Sequence, residues 1–396
     1  MTSASSLHGA LNPLAPHYSR FRVGERLLLT GHSHQAWPDR AFDGQSRAWE
    51  DAAEYVDRKW ERAAERADRV RDGFARLLDC APGTLSLGAN THELVVRWLS
   101  ALPLRERSTV VTTDAEFHSA RRQLRRLEEA GLRVVWVPAY PSESVGERLA
   151  RAVDDRVAAV LVSTVFFDSA ELAGGLLDVA RACDAHGAAL LLDVYHQLNV
   201  VPFSVKTQGL ENTYVVGGGY KYCQLGEGNC FLRSPPDSEL RPVITGWYAE
   251  FDELERADPS RVSHGPLSSR FAGATYDPTS HYRAAEVFAF FDEMGLVPEL
   301  LREVSQHQVA LLRERFDALD LPPDLVSRRE LPLERLAGFL ALRSLRATEL
   351  QSALARRGVF TDARGEVLRF GPAPYLGATQ LADAMLALGE AARALV

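Results

Sequence analysis

The chain has 396 residues, of which 46% are hydrophobic and 25% are charged, and both fractions are ordinary for a soluble globular protein. This length predicts two domains, or one large domain with a smaller satellite. The formal net charge of −8 argues against a nucleic-acid partner, because phosphate binding depends on clustered Lys and Arg.

The four cysteines predict a reducing compartment. They stand at positions 80, 183, 223 and 230, without CxxC spacing and without the density of a disulfide scaffold, so neither a zinc site nor a secreted fold is expected. The segment from Met1 to Ala15 has no charged region followed by an apolar one. No run approaches the roughly 18 apolar residues of a membrane span. We therefore expect a cytoplasmic protein with no metal site and no membrane association.

The predicted elements begin with an arm and continue with a sheet. The first 40 residues, with Pro13, Pro16 and Pro38, predict an arm that packs on the small domain or on a partner subunit. Between about Thr109 and Arg233, apolar runs without polar alternation predict strands buried on both faces, in a mostly parallel sheet covered by helices. The predicted strands are 110–112, 134–137, 157–167, 188–192, 214–216 and 230–232, and the helices between them are 115–130, 144–153 and 174–186.

The pattern changes after about Pro298 to long helices with a few strands, which predicts a second, smaller α+β domain. Its helices are predicted at 300–319, 346–357 and 379–395, and a helix over 282–294 joins it to the large domain. We therefore expect an arm at 1–40, a large domain at 41–290 and a small domain at 291–396.

The most informative residue is Lys221, which follows the apolar run Tyr214 to Val216 and three glycines. Burying an ammonium group costs several kcal/mol unless it is neutralised or paired. Such a lysine can carry a Schiff base. A loop lysine that reaches water is the alternative.

Two residues favour the Schiff-base interpretation. Asp193 ends the strand 188–192, where α/β folds bind ligands. Pyridoxal phosphate needs a lysine for its aldimine and an acid that keeps its pyridine nitrogen protonated. His196 follows three residues later and can hydrogen-bond the Asp193 carboxylate or the cofactor.

Other segments supply the rest of a cofactor site. Asn90 and Thr91 stand at a predicted helix start, whose free N–H groups can bind a phosphate. Phe117 follows a strand end and can stack on a flat ring. Arg369, flanked by apolar residues, is either an ion-pair partner or a bidentate clamp for a substrate carboxylate.

At these residues the chain resembles kynureninase, within the class V branch of the fold-type I pyridoxal-phosphate enzymes. The strongest matches are Asp193-Val194-Tyr195-His196, to the family's Asp-x-x-His, and Gly219-Tyr220-Lys221-Tyr222 with Gly226-Glu227-Gly228, to its lysine segment. Further matches are Asn90-Thr91, Phe117-His118-Ser119, Gly246-Trp247, Arg270-Phe271 and Arg369 with Pro372 and Pro374, within about Leu28 to Tyr375. The resemblance implies a seven-stranded, mostly parallel sheet in the large domain.

The same resemblance implies roles for individual residues. Lys221 forms the internal aldimine and shuttles protons, Asp193 pairs with the pyridine nitrogen, and His196 supports it. Tyr220 hydrogen-bonds the phosphate or acts near the substrate carbonyl, and Arg369 binds the substrate carboxylate. The other implied cofactor residues are Asn90, Thr91, Phe117, Ser119, Trp247 and Thr275, the last reaching across a dimer interface. A homodimer with shared active sites is therefore implied.

Three departures from the family fall on the substrate pocket. A histidine that meets the aryl ring in kynureninases falls near Ala53, and an acidic residue after the ring-stacking segment falls near Ala120. The segment from Ala272 to Pro278 replaces the family's Gly-Thr-Pro-Pro or Ser-Asn-Pro-Pro. The cofactor residues are therefore kept, while the pocket is altered.

The predicted activity is that of a pyridoxal-phosphate enzyme for a small L-α-amino acid, in which Lys221 removes the Cα proton to give a quinonoid. The kynureninase-type reaction would then cleave Cβ–Cγ hydrolytically and release alanine. An aminotransferase or a β-lyase on another amino acid is the alternative, and a desulfurase is disfavoured because Cys223 follows Lys221 too closely to swing freely. A non-catalytic regulator that binds the cofactor would be expected to lack Lys221, Asp193 or Arg369.

Overall fold

The computed structural model describes residues 3–9, 12–254 and 260–395. Its strands are β1 Leu27–Leu28, β2 Leu85–Gly88, β3 Thr109–Thr113, β4 Arg133–Val137, β5 Val157–Ser163, β6 Ala189–Asp193, β7 Tyr214–Gly218, β8 Cys230–Arg233, β9 Leu340–Arg343, β10 Val359–Phe360, β11 Asp362–Arg364 and β12 Val367–Phe370. Its helices are α1 Ala4–His8, α2 Arg40–Tyr55, α3 Lys59–Leu78, α4 Thr91–Ser100, α5 His118–Glu129, α6 Val145–Arg151, α7 Leu176–His186, α8 Leu267–Arg270, α9 Thr279–Met294, α10 Pro298–Asp317, α11 Ala347–Ala355 and α12 Ala378–Arg393. No helix in these ranges is long and apolar enough to cross a membrane.

The large unit is built on one seven-stranded sheet with the order β2-β8-β7-β6-β5-β3-β4. Strand β8 runs antiparallel to both neighbours, and the other pairs are parallel. All the residues of β5 are buried, as expected for an apolar strand with helices over both faces of the sheet. The predicted α/β fold with a mostly parallel sheet is confirmed.

Three local features differ from the sequence predictions. Strand β5 ends at Ser163 rather than at residue 167, because Val165 pairs instead with Leu172. Helix α5 begins at His118 rather than at residue 115, because the side chain of Glu116 turns inward to the end of β5. Strand β2 is not predicted, since its short Leu-Ser-Leu-Gly segment precedes the predicted helix start and carries no strand pattern of its own.

The C-terminal part of the chain forms a second unit around a three-stranded antiparallel sheet with the order β11-β12-β9. Helix α12 packs on both α10 and α11 beside it. The N-terminal arm joins this unit, because β1 pairs in parallel with β10 and Thr30 bridges to Gly371. The limits 1–40, 41–290 and 291–396 stay predictions.

The carboxyl ends of the parallel strands meet at one edge of the large sheet. Ser163, at the end of β5, is the register partner of Asp193 at the end of β6, and Asp193 is also the partner of Val216 in β7. Lys221 follows β7 by three residues. Because ligands of α/β proteins bind at this edge, the topology brings the two main predicted residues to one place.

Candidate active site

Lys221 lies at the centre of the candidate active site. Its side chain is buried, and Nζ lies 2.8 Å from Nε2 of His196. Burial lowers the pKa of Lys221 to about 7, while the Asp193 carboxylate opposes this shift and Arg369 adds to it. A substantial part of this amine is therefore neutral at neutral pH, and the neutral amine is the form that attacks a carbonyl carbon.

Aromatic rings surround the Lys221 amine. Nζ lies 4.4 Å from the centre of the Tyr195 ring, 5.5 Å from that of Phe117 and 5.6 Å from that of Tyr220. Their apolar faces exclude water from the amine and are suited to stacking on a planar group. The site therefore combines a reactive nitrogen with flat surfaces.

The glycines before Lys221 are required by close packing. A Cβ at Gly218 would come within 2.5 Å of Cys230 Sγ, and one at Gly219 would overlap Leu225. The chain then turns tightly, with Leu225 N donating to the Gly219 carbonyl at 2.9 Å. The loop that carries Lys221 is therefore fixed by the strand before it and by the turn after it.

Asp193 and His196 come from the end of β6 and the turn after it. Oδ1 of Asp193 accepts the Tyr195 N–H at 2.9 Å. Burial raises the pKa of Asp193, whereas this hydrogen bond and the charge of Lys221 act in the opposite direction. Burial and the charges of Lys221 and Arg369 lower the pKa of His196 well below its ordinary value, so its imidazole is neutral. Within the described ranges His196 is bonded to Lys221 and not to Asp193, one of its two predicted partners.

The N-terminus of α4 lies beside the lysine loop. Asn90 caps this helix, since its Oδ1 accepts the Glu93 N–H and its Nδ2 donates to the Glu93 carboxylate, both at 2.9 Å. The backbone N–H of Thr91 faces the thiol of Cys230, which pairs with Gly218 at the end of β7. A helix start of this kind can bind an anion, but the Asn90 side chain is already used by the cap.

Phe117 and Ser119 stand at the start of α5, and the Phe117 ring lies beside the lysine. Phe117 immediately precedes the helix and packs edge-on against Phe167, with ring centroids 5.5 Å apart. Ser119 is half-buried in the first turn of the helix. The structure therefore places the predicted ring-stacking segment beside Lys221.

Arg369 is buried on β12 and is engaged by the protein itself. Its Nε donates to Oδ1 of Asp362 at 2.6 Å, Nη2 lies 2.5 Å from the same oxygen, and Nη1 donates to the Phe167 carbonyl at 2.5 Å. A guanidinium carries five N–H groups, so each terminal nitrogen keeps one that these contacts do not use. The two predicted roles of Arg369, ion-pair partner and carboxylate clamp, are therefore compatible.

Tyr220 faces the N-terminal arm. Its ring stacks on that of His34, with centroids 4.8 Å apart and an interplanar angle of 16°. Burial raises the pKa of the Tyr220 hydroxyl to about 12, so the phenol keeps its proton at neutral pH and can donate a hydrogen bond.

Trp247 and Thr275 lie apart from this cluster. The side chain of Trp247 is 42% exposed and packs on Tyr248 and Phe251, and Thr275 is exposed. In the described part of the chain no hydrogen bond or ring contact joins either residue to Lys221. One subunit therefore does not bring these two predicted residues to the site.

Two carboxylates of the site are not predicted from the sequence. Buried Glu116 accepts hydrogen bonds from the hydroxyls of Thr113 and Ser163, each at 2.6 Å, and burial raises its pKa to about 7. Asp362 lies 3.3 Å from Nε2 of His32. The position of Glu116 just before the ring-stacking segment was an available signal, whereas no local pattern marks Asp362. No group of three or more His, Cys, Asp and Glu side chains among the described residues could hold a metal ion.

Sequence comparison finds kynureninases among the relatives. The kynureninase of Xanthomonas euvesicatoria pv. vesicatoria (strain 85-10) is 26% identical over 330 residues, which cover 77% of this chain and 75% of the relative. An uncharacterized aminotransferase of Bacillus subtilis (strain 168) is 21% identical over 309 residues, covering 77% of this chain and 78% of the relative. No family model matches the chain.

Solved structures share the fold at low sequence identity. The cystine C-S lyase C-DES, in a mutant with glycine covalently linked to its PLP cofactor, superposes with a TM-score of 0.83 at 13% identity, covering 96% of this chain and 100% of that chain. The cysteine desulfurase CsdA from Escherichia coli gives a TM-score of 0.79 at 14% identity, covering 98% and 100%. The predicted resemblance and fold are confirmed: the chain is similar in sequence to kynureninases, and it has the α/β fold of fold-type I pyridoxal-phosphate enzymes.

Proposed function

We propose that the protein is a pyridoxal-phosphate-dependent enzyme that acts on an L-α-amino acid. The observation that carries this proposal is the buried Lys221 amine, with a pKa of about 7, held between aromatic rings beside Asp193 and His196. The kynureninase and aminotransferase relatives support both the cofactor and the class of enzyme.

The residues at the site fit this cofactor. Lys221 supplies the amine, Phe117 supplies an aromatic face near it, and the start of α4 at Thr91 supplies an anion site. His196 keeps a buried Nδ1 with no protein partner among the described residues, which leaves that atom available to a ligand. Bound through Lys221, the cofactor would act as an electron sink for a bond at the substrate Cα.

The side chains of the protein would hold the substrate and move its protons. Lys221, once released by the incoming amino acid, can take the Cα proton and return it, because its pKa lies near the working pH. His196 accepts a hydrogen bond from Lys221 and so fixes the direction of that amine. The half-buried Asp193 carboxylate would hold a positive charge at the pyridine nitrogen, and Arg369 would bind the substrate carboxylate through its remaining N–H groups.

For the reaction itself, we propose kynureninase-like hydrolysis of the Cβ–Cγ bond with release of alanine. Its support is the sequence similarity to kynureninases over about three quarters of both chains. Ala53, where kynureninases place an aryl-binding histidine, is exposed on α2. The site is therefore compatible with a substrate whose side chain differs from that of kynurenine. The aminotransferase relative supports transamination as the second candidate reaction.

A desulfurase reaction is not supported by the cysteines. A persulfide-forming thiol must reach the substrate, but Cys183, Cys223 and Cys230 are buried. Cys80 is half-buried at the far end of α3, and burial raises its pKa, which lowers its reactivity. The shared fold is therefore the only feature that favours a desulfurase activity, and the cysteines give it no support.

We also propose a homodimer in which the partner contributes to each site. An aromatic surface supports it, in which Trp247 and Phe251 are exposed and pack with the half-buried rings of Trp60, Tyr248 and Tyr276. A contiguous apolar surface of this kind usually marks an interface in a folded protein. Trp247 and Thr275, which do not reach Lys221 in their own subunit, stand on or beside this surface.

The test is a spectrum followed by a product assay. The purified protein should show the visible absorbance of a lysine-bound cofactor, and Lys221→Ala should lose it. The chain has three lysines, Lys59, Lys206 and Lys221, so borohydride reduction and peptide mapping identify the linked residue, with Lys206→Ala as the matched control.

The product assay separates the candidate reactions. Alanine and an anthranilate formed from L-kynurenine or 3-hydroxykynurenine without a 2-oxo acid would support the hydrolase. A requirement for a 2-oxo acid would favour transamination. The cofactor proposal would be contradicted if the visible band persisted in Lys221→Ala as it does in Lys206→Ala. It would also be contradicted if the wild type had no visible band.

A further inference from the structure

A histidine of the N-terminal arm is buried inside the candidate active site. The side chain of His32 is 0% exposed. Its segment is tied to the residue after β12, since Gly31 N donates to the Gly371 carbonyl and Gly371 N donates to the Leu29 carbonyl, both at 2.8 Å. A Cβ at Gly371 would overlap the His32 imidazole. Arm and small sheet are therefore fitted to each other where His32 enters.

The tautomer of His32 follows from its surroundings. Its Nε2 lies 3.3 Å from Oδ1 of Asp362, and its ring packs on Phe339 with centroids 4.7 Å apart. Burial lowers the pKa of His32 to about 4, so the imidazole is neutral. Burial alone would raise the pKa of Asp362. The hydrogen bond from His32 and the charge of Arg369 outweigh this effect and lower the pKa below its usual range. The Asp362 carboxylate only accepts, so Nε2 of His32 donates.

Asp362 in turn orients Arg369. The two residues are register partners on β11 and β12, and Oδ1 of Asp362, which accepts from His32, also faces Nε and Nη2 of Arg369. The other carboxylate oxygen lies 3.4 Å from Nη2 of Arg364, whose side chain is 49% exposed. Without His32, the carboxylate would be free to turn toward this second arginine and solvent.

We propose that His32 is a positioning residue for substrate binding: it fixes Asp362, and through Asp362 it aims the free N–H groups of Arg369 at the substrate carboxylate. This inference rests on the proposed function, in which Arg369 binds that carboxylate. The N-terminal arm would thus take part in amino-acid recognition, although its His32 lies 330 residues before Asp362 in the chain.

The test compares His32→Leu with His32→Gln. Leucine removes the donor, while the glutamine amide nitrogen can take the place of Nε2. Each holoenzyme is titrated with L-alanine and with ethylamine, an amine without a carboxylate, and the change in visible absorbance gives the dissociation constant. Because a hydrogen bond to a charged group is lost, we expect His32→Leu to weaken L-alanine binding about tenfold to a hundredfold, to leave ethylamine binding unchanged, and His32→Gln to restore much of the L-alanine affinity.

The outcomes separate this inference from the proposed function. Equal weakening of both ligands would show a general structural role for His32 and would overturn the inference, as would unchanged L-alanine binding. Absence of a visible band in the wild type would overturn the proposed function. In that case a crystal structure of His32→Leu still tests the role of His32. If the Arg369 guanidinium keeps its orientation on Asp362 in that variant, His32 does not position it.

Discussion

The Lys221 amine and the His196 imidazole face each other at 2.8 Å in a buried part of the protein. Burial lowers the pKa of both groups, and the charge of Lys221 lowers the pKa of His196 further. His196 therefore serves as a neutral acceptor, and the lysine has the proton to donate. This pair explains how a lysine can be held ready for reaction when no carboxylate in the described part of the chain forms an ion pair with its Nζ.

The low pKa of Lys221 predicts a pH-dependent cost to the stability of the cofactor-free protein. The pKa is about 7 in the folded protein and about 10.4 in an unfolded chain. Between these values the unfolded chain binds more protons, so the free energy of unfolding rises with pH by up to about 1.4 kcal/mol per unit. Below pH 7 the cost is fully present.

Lys221→Met should therefore raise the free energy of unfolding, most at pH 6 to 7 and progressively less at pH 8 and 9. Urea unfolding of the cofactor-free variants at each pH measures this. Lys206→Met is the control, since Lys206 is 61% exposed and pairs with Asp79. A gain that is the same at every pH would show that the folded pKa of Lys221 is not lowered.

The Asn90 side chain is expected to stabilise helix α4 rather than to bind the cofactor directly. Its cap on α4 predicts that Asn90→Ala lowers the free energy of unfolding by about 1 kcal/mol. Asn90→Asp keeps the cap but places a negative charge at the anion site, so it should weaken pyridoxal-phosphate binding by about tenfold.

Asn90→Ser, which keeps a capping oxygen without the charge, is the matched control for both effects. Urea unfolding gives the stability of the cofactor-free variants, and a fluorescence titration gives the cofactor affinity. If Asn90→Asp binds the cofactor as tightly as Asn90→Ser, the start of α4 is not the phosphate site.

The sequence locates residues that follow strand ends, and the structure shows why. Asp193 and Lys221 each follow a buried apolar run, and the carboxyl ends of parallel strands share one edge of a sheet. Phe117 is found in the same way, after β3. These side chains meet because the strands before them run parallel in one sheet. The apolar runs in the sequence already predict that arrangement.

The parts that sequence reasoning misses depend on contacts between distant segments. His32 and Asp362 are brought together only when the arm docks on the small domain, and nothing local in either segment signals the contact. The amphipathic pattern of its neighbours predicts Glu116 in the helix 115–130, yet its carboxylate accepts hydrogen bonds at the end of β5 instead. Tertiary hydrogen bonding overrides the local pattern in both cases.

Glu116 predicts a stability change of the opposite sign to that of Lys221. Its pKa is about 7 in the folded protein and about 4.3 when unfolded. Between these values the folded protein binds more protons, so Glu116 makes the free energy of unfolding fall as pH rises toward 7. Glu116→Gln keeps an oxygen acceptor and removes this ionisation.

The difference in free energy of unfolding, Glu116→Gln minus wild type, should therefore increase from pH 5 to pH 7 and then level off above it. Glu116→Ala is the comparison, because it removes the same ionisation but also leaves Ser163 N–H without an acceptor, so it should be about 1–3 kcal/mol less stable than Glu116→Gln at every pH. A Glu116→Gln difference that does not change with pH would show that Glu116 is ionised throughout this range.

The aromatic surface around Trp247 predicts how the subunits associate. Phe251 is 47% exposed and stacks on Tyr248 at an interplanar angle of 21°, so a charge there would be buried in a dimer but not in a monomer. Burying an unpaired carboxylate costs several kcal/mol. We expect sedimentation to show a dimer for the wild type and mainly a monomer for Phe251→Glu at micromolar concentration.

Leu345→Glu is the matched control, because Leu345 is 78% exposed but lies in the small domain, outside the aromatic surface. It should leave the dimer intact. If the partner also supplies part of each cofactor site, the monomeric Phe251→Glu should bind pyridoxal phosphate more weakly than Leu345→Glu does. The fluorescence titration used for the Asn90 variants measures this difference. A Phe251→Glu protein that remains dimeric would place the subunit interface elsewhere on the molecule.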